Sequence, residues 1–314
     1  MHVDVNTLSP SPALARVLVE DRPVLALWLD GRFRDLSAAS DERLHGLDRL
    51  LTLPARDIRR LLEGDGLRDL PEIDAGSVVL APVESQEVWA SGVTYRRSRE
   101  ARMDEATVKD VYALVYEAER PELFFKAAGW RVVPPGGDVG VRADSTWDVP
   151  EPELTVLSNA YGEVIAYTCG NDMSSRSIEG ANPLYLPQAK VYDASCSLGP
   201  AAVLAWHVDP EACEIEMRIE RDGEEIYAES TRVGEMVRDP AELVAVLHAS
   251  YTLPVGAWLM TGTGLVPPSY TAQPEDRVTI SISGIGTLQN RVIRVNHSGA
   301  TARPRLDGTP GSAS

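Results

Sequence analysis

Three carboxylates carry the clearest chemistry in the chain. Glu151 and Glu153 stand two residues apart in VPEPEL, and Asp172 ends the run EVIAYTCGND that follows Tyr161-Gly162. On an extended strand residues i and i+2 point to one face, so the two glutamates converge. A hairpin folded about Tyr161 returns Asn171 and Asp172 to a place opposite Glu151, which gathers three acids at one point. Like charges that close raise one another's pKa unless a cation neutralises them. Oxygen donors suit a hard divalent ion, and no histidine lies in this stretch to favour zinc. Mg²⁺ is the first choice, with Mn²⁺ or Ca²⁺ as substitutes. An octahedral ion holding three carboxylates keeps about three positions for water or a chelating substrate. Spacing alone fits a solvated acidic edge equally well.

The elements that must position these acids can be read from the flanking sequence. Pro150 and Pro152 favour an extended backbone and remove two donors, which predicts a sheet edge or end. Residues 24–36 read as a hairpin turning at Asp30-Gly31. Ser40 or Asp41 caps a predicted helix through Leu44, Leu47 and Leu51, continued by Leu61 and Leu62 until Gly64-Asp65-Gly66. A second helix is expected over 106–120, burying Val108, Val111, Tyr112, Val115 and Tyr116. From Glu122 onward the pattern is short strands and turns, with one interior helix opened by Asp239-Pro240. Val278, Ile280 and Ile282 alternate with Thr279, Ser281 and Ser283, as in a strand with one buried face. These readings divide the chain into a small N-terminal unit (1–80), a larger unit (81–297) and a flexible tail (298–314). No internal repeat is present.

A chain of 314 residues with 44% hydrophobic residues can bury a sizeable core. A formal net charge of -17 repels polyanions, so nucleic acid and anionic membranes are excluded as partners. A small anionic substrate therefore needs a local positive site. Cys169, Cys196 and Cys213 lie in apolar runs and read as packing residues of a reducing compartment. No apolar stretch approaches a membrane span, and the N-terminal residues lack a basic leader pattern, so a cytoplasmic location is expected.

Several ordered motifs resemble those of the fumarylacetoacetate hydrolase superfamily. They are PEPEL at 150–154, AYTCGNDMSSR at 166–176, Lys190, SLGP at 197–200, TGTG at 261–264 and GIGTLQNRV at 284–292. The resemblance covers roughly residues 85 to 295. It implies an α+β, mostly β fold: a mixed β-sandwich roll with a small N-terminal α+β unit. It also implies Mg²⁺ at Glu151, Glu153 and Asp172, and a homodimer or higher homo-oligomer. PELFFKA at 121–127, DSTWDVPEPEL at 144–154 and NPLYLPQAKVYDASCSLGP at 182–200 are most similar to a branch of sugar-acid dehydratases.

One departure from the superfamily pattern bears on the reaction. Members that cleave carbon–carbon bonds with water carry a His and a Glu where this chain has Ser98 and Ala101. Serine cannot accept a proton near neutral pH, and the five histidines lie far away in sequence. Dehydration of a 2-keto-3-deoxy sugar acid through a metal-stabilised enolate is therefore expected, with 2-keto-3-deoxy-arabinonate giving 2,5-dioxopentanoate. The runner-up is a hydrolase or decarboxylase of acylpyruvate or oxaloacetate type, and a non-catalytic sugar-acid sensor is the reading from another class. Glu122 and Lys190 are the candidate acid–base residues. Arg176, Thr263, Lys126 and Ser98 are the candidate substrate-binding residues, with Lys126 in an apolar run where burial demands a partner. Glu179 is read as solvated.

Overall fold

The computed structural model describes residues 7–74, 76–95, 118, 120–267 and 269–295. The first part runs β1 (Ala13–Val19), β2 (Arg22–Leu29), β3 (Arg32–Asp35), α1 (Leu47–Leu50), α2 (Ala55–Leu62), β4 (Glu72–Ile73), β5 (Val79–Leu80) and β6 (Glu87–Gly92). The middle comprises β7 (Glu122–Ala128), β8 (Asp138–Arg142), β9 (Asp148–Val149), β10 (Pro152–Ser158), β11 (Val164–Asp172) and β12 (Ser174–Ser175). Two short helices follow, α3 (Arg176–Ala181) and α4 (Leu186–Lys190), then β13 (Cys196–Leu204), β14 (Glu214–Arg221) and β15 (Glu224–Arg232). The described chain closes with α5 (Pro240–His248), β16 (Ala257–Met260), β17 (Arg277–Ile282) and β18 (Gly286–Val295).

The main sheet runs β4-β3-β2-β1-β13-β11-β10-β16-β6-β7, with β5 on β1. A five-stranded sheet, β15-β14-β17-β18-β8, covers one of its faces. Alternation explains the layering, because successive strand residues face opposite sides. Leu154 and Val156 of β10 join Met217, Ile219, Ile280 and Val292 in the core between the sheets. Leu157 joins Ala166 and Met260 on the other face, where Leu44, Leu47, Leu50, Ile58 and Leu62 cover it. The sheets are mixed, since β16–β6 and β18–β8 are parallel among otherwise antiparallel pairs. This is the expected α+β, mostly β architecture.

Several local expectations are met and others corrected. The β2–β3 turn places Asp30 and Gly31 at positive φ. Asp239 caps α5 by accepting from the Ala241 N–H at 2.7 Å. β17 buries Val278, Ile280 and Ile282. The expected long helix after Asp41 is instead three pieces. Asp41 caps only a 3-10 turn at Glu42–Leu44; extended Gly46 interrupts it, and Pro54 opens α2 separately. The N-terminal strands continue the main sheet through β1 against β13, Ala13 opposite Val203. All but residues 118 and 120 of the helix expected over 106–120, and the whole tail 298–314, lie outside the described residues.

Candidate metal centre

The acids stand at the ends of two central strands. Pro152 is the first residue of β10, which β11 and β16 flank on both sides, so the prolines mark a strand end and not a sheet edge. The Asp172 N–H donates to Glu151 O at 3.0 Å and the Glu151 N–H to Asp172 O at 3.2 Å, which fixes the expected opposition. The hairpin between them closes on Asn159, whose Oδ1 accepts from the N–H groups of Tyr161 and Glu163. Glu153 stands opposite Gly170, where a side chain would run into Thr155 Oγ1 and Met260 Cε. One carboxylate oxygen from each of Glu151, Glu153 and Asp172 lies within 4.8 Å of the others. All three residues are buried, at 1% to 3% exposure.

Charged partners surround the acids. Lys190 Nζ donates to Glu151 Oε2 at 2.6 Å and to Asp172 Oδ2 at 2.9 Å. Arg176 Nη2 lies 2.9 Å from Glu151 Oε1. Lys126 Nζ pairs with Asp172 Oδ1. Glu153 has a neutral donor, the Gly262 N–H, 2.7 Å from its Oε2. Burial first, then the neighbouring Asp172 and Glu151, pushes the Glu153 carboxyl well above the usual carboxylate range. Buried, mutually repelling oxygens with no nitrogen or sulfur ligand fit a hard divalent cation such as Mg²⁺.

The sequence reading missed the parts that deliver these partners. α3 brings Arg176 and α4 ends on Lys190, and both are too short to show a helical period. Gly262 is needed for its conformation as well as its donor. Its φ is +91°, and a Cβ there would overlap Thr94 Oγ1, which itself donates to Thr261 O at 2.6 Å. The TGTG run was the available signal.

The remaining candidates fall as follows. Glu122 shares a face of β7 with Phe124, whose ring centroid is 5.9 Å from Lys190 Nζ. The carboxylate lies over Gly92, directly across the ladder. Thr263 closes a turn, donating to Leu265 O at 3.2 Å and accepting from the Leu265 N–H at 3.1 Å. Ser98 lies outside the described residues. Glu179, read as solvated, is buried and accepts from Ser174 Oγ at 3.2 Å, because α3 turns that side chain inward. His45 bonds Ala39 O and His248 bonds Ser158 Oγ, so neither serves the centre. All three cysteines are buried with free thiols. No helix among the described residues is long and apolar enough to cross a membrane.

Sandwich and buried oxygen cluster together define a class: the chain belongs to the fumarylacetoacetate (FAA) hydrolase family, matching its C-terminal family over residues 88–293. Relatives narrow the class. The chain is 48% identical over 265 residues to the "Probable 2-keto-3-deoxyxylonate dehydratase" of Haloferax volcanii, covering 82% of this chain and 91% of that one. It is 39% identical over 278 residues to the 2-dehydro-3-deoxy-D-arabinonate dehydratase of Saccharolobus solfataricus, covering 87% of each. The solved structure of a 2-keto-3-deoxy-D-arabinonate dehydratase complexed with magnesium and 2,5-dioxopentanoate superposes with a TM-score of 0.76 at 30% identity. That match covers 90% of this chain and 99% of the solved one.

Proposed function

We propose that this chain is a metal-dependent hydro-lyase that removes water from a 2-keto-3-deoxypentonate to give 2,5-dioxopentanoate. The observation that carries it is the buried oxygen triad ringed by Lys190, Arg176 and Lys126. The two dehydratase relatives support one substrate. Arabinonate and xylonate of one series differ only at C2 and C3, and both centres vanish when C2 is a ketone and C3 a methylene.

Glu151, Glu153 and Asp172 hold the divalent ion, which when bound polarises the 2-oxo group and acidifies the C3 protons. Lys190 and Arg176 supply the local positive charge that a chain of net charge -17 needs to receive an anion. The C3–H bond and the C4–O bond both break. Glu122 and Lys190 share the two transfers, one taking the C3 proton and the other delivering a proton to the departing C4 hydroxyl. The dehydrated skeleton then tautomerises to the C5 aldehyde, with no change in overall oxidation state. Of the described histidines, His45 and His248 are bonded elsewhere and His207 is exposed, so none is placed to activate a water, which favours elimination over hydrolytic cleavage. Thr263 is the residual candidate for orienting the substrate carboxylate.

The same reading carries a cytoplasmic homodimer or higher homo-oligomer; light scattering tests the assembly and cell fractionation the location. The reaction itself is tested by incubating the chain with 2-keto-3-deoxypentonate and Mg²⁺, with and without chelator, and following products by mass. A single product lighter by one water, lost on chelation, is expected. Two carbon fragments, or carbon dioxide and a shortened acid, would replace this reading with the hydrolase or decarboxylase one.

A further inference from the structure

Lys126 was a candidate for binding substrate or for pairing with a structural carboxylate, and its surroundings favour the second. The residue is fully buried, and an ammonium has three N–H donors. It donates to two carbonyls, Met173 O at 3.0 Å and Lys190 O at 2.6 Å, and forms an ion pair with Asp172 Oδ1. Nothing in that set belongs to a substrate. The acceptors come from the end of β11, the corner that follows it and the end of α4, so one nitrogen ties three elements together. The two lysines divide Asp172 between them, Lys126 on Oδ1 and Lys190 on Oδ2. The Lys190 carbonyl takes a second donor, Ser195 Oγ at 3.0 Å.

The backbone of β7 is built for this reach. Val88 pairs with Ala127 while Trp89 pairs with Phe125, which leaves Lys126 as the extra residue of a β-bulge. A bulge breaks strict alternation and re-aims a side chain. Lys126 and Ala127 are consequently both buried, although they are neighbours in sequence.

We propose that Lys126 is a positioning residue: it sets Asp172 for the metal and holds the backbone that presents Lys190, without touching substrate. The proposal rests on the reading that Asp172 is a ligand and that Lys190 works on the substrate. A hydrophobic Met at 126 keeps the stem's volume and removes all three donors.

The test is calorimetric titration of Mn²⁺ into the full chain without substrate, alongside steady-state kinetics at saturating Mn²⁺. Lys126→Met is expected to weaken Mn²⁺ binding about 10- to 100-fold, the usual effect of losing a partner behind a metal ligand. With the metal site refilled, kcat should still fall about 10- to 100-fold while KM stays within about threefold. Ser195→Ala should lower kcat about fivefold, the weight of one hydrogen bond, and leave Mn²⁺ affinity intact. Unchanged Mn²⁺ affinity in Lys126→Met, or a raised KM with normal kcat, overturns the proposal in favour of direct substrate contact. If Lys126→Met does not fold, Lys126→Gln, which keeps two uncharged N–H donors but loses the charge, takes its place under the same criteria. If the unmodified chain dehydrates no 2-keto-3-deoxypentonate, the functional reading fails, whereas the substrate-free titration still decides the role of Lys126.

Discussion

Glu151 and Asp172 face each other across the β10–β11 junction, each donating its backbone N–H to the other's carbonyl. Directly opposed residues share a face, and like charges so placed are destabilising. The backbone thus brings the two acids face to face against their repulsion, and Lys190, Arg176 and Lys126 hold their carboxylates there.

Metal should therefore stabilise the fold as well as activate it. A ligand at about 100 times its Kd adds about 2.7 kcal/mol to folding. Mg²⁺ is expected to raise the Tm of the unmodified chain and to leave that of Glu153→Gln nearly unmoved, with turnover lost in the variant. Undiminished metal binding by Glu153→Gln would remove Glu153 from the ligand set.

Lys190→Met removes a cation that contacts two buried acids. Breaking such a pair costs about 3–5 kcal/mol because it strands the partner charges. The metal-free variant should melt well below the unmodified chain, and Mg²⁺ should recover most of the difference. Its kcat should remain about 10²- to 10⁴-fold low even so, the range for a lost acid–base group. A kcat within threefold of normal would end the acid–base assignment.

Gly262→Ala places a methyl group against Thr94 Oγ1 at a φ of +91°. Strained backbone of this kind costs about 1–3 kcal/mol. The loop is expected to relieve the strain by swinging away, which draws the Gly262 N–H off Glu153. Both Tm and metal affinity should fall, and thermal melts with Mn²⁺ titration check the pair; a loss of Tm alone would confine Gly262 to a structural role.

Asp148 gives the expected pH dependence. Burial pushes its carboxyl from 3.8 up to about 6, and its Oδ1 has no hydrogen-bond partner among the described residues. Between those pH values the folded chain keeps a proton that the unfolded chain releases, so this group's contribution weakens as pH climbs from about 4 to about 6. Asp148→Asn is expected to melt higher than the unmodified chain at pH 7.5, with the gain gone below pH 4. A lower Tm for the variant at pH 7.5 would contradict that sign.

The acid triad was legible because its information is local. Two-residue spacing fixes a face, and a turn at Tyr161 fixes which residues meet. The β17 alternation and the Asp239-Pro240 cap were legible for the same reason. Lys126 and Gly262 were harder, since their partners lie 46 to 109 residues away and a bulge or a positive φ leaves little trace in composition. The broken helix after Asp41 shows leucine spacing outvoting Gly46 and Pro54, which were the stronger local facts. Of the two places that the prolines allowed, an edge or a strand end, the structure takes the second, because Pro152, lacking a donor, is tolerated as the first residue of an interior strand.

The β10–β11 hairpin also carries an irregularity where Leu157 opposes Ala166 and Ser158 opposes Val164. Glu153 looks into the centre, while its neighbour Leu154 looks into the apolar space between the sheets. A shift of one residue would exchange them and bury a carboxylate among aliphatic groups. The paired residues joining Glu153 to Asp172 thus have a parity: length changes inside either strand are compatible with the centre in steps of two, or when an odd insertion is cancelled by erasing that kink.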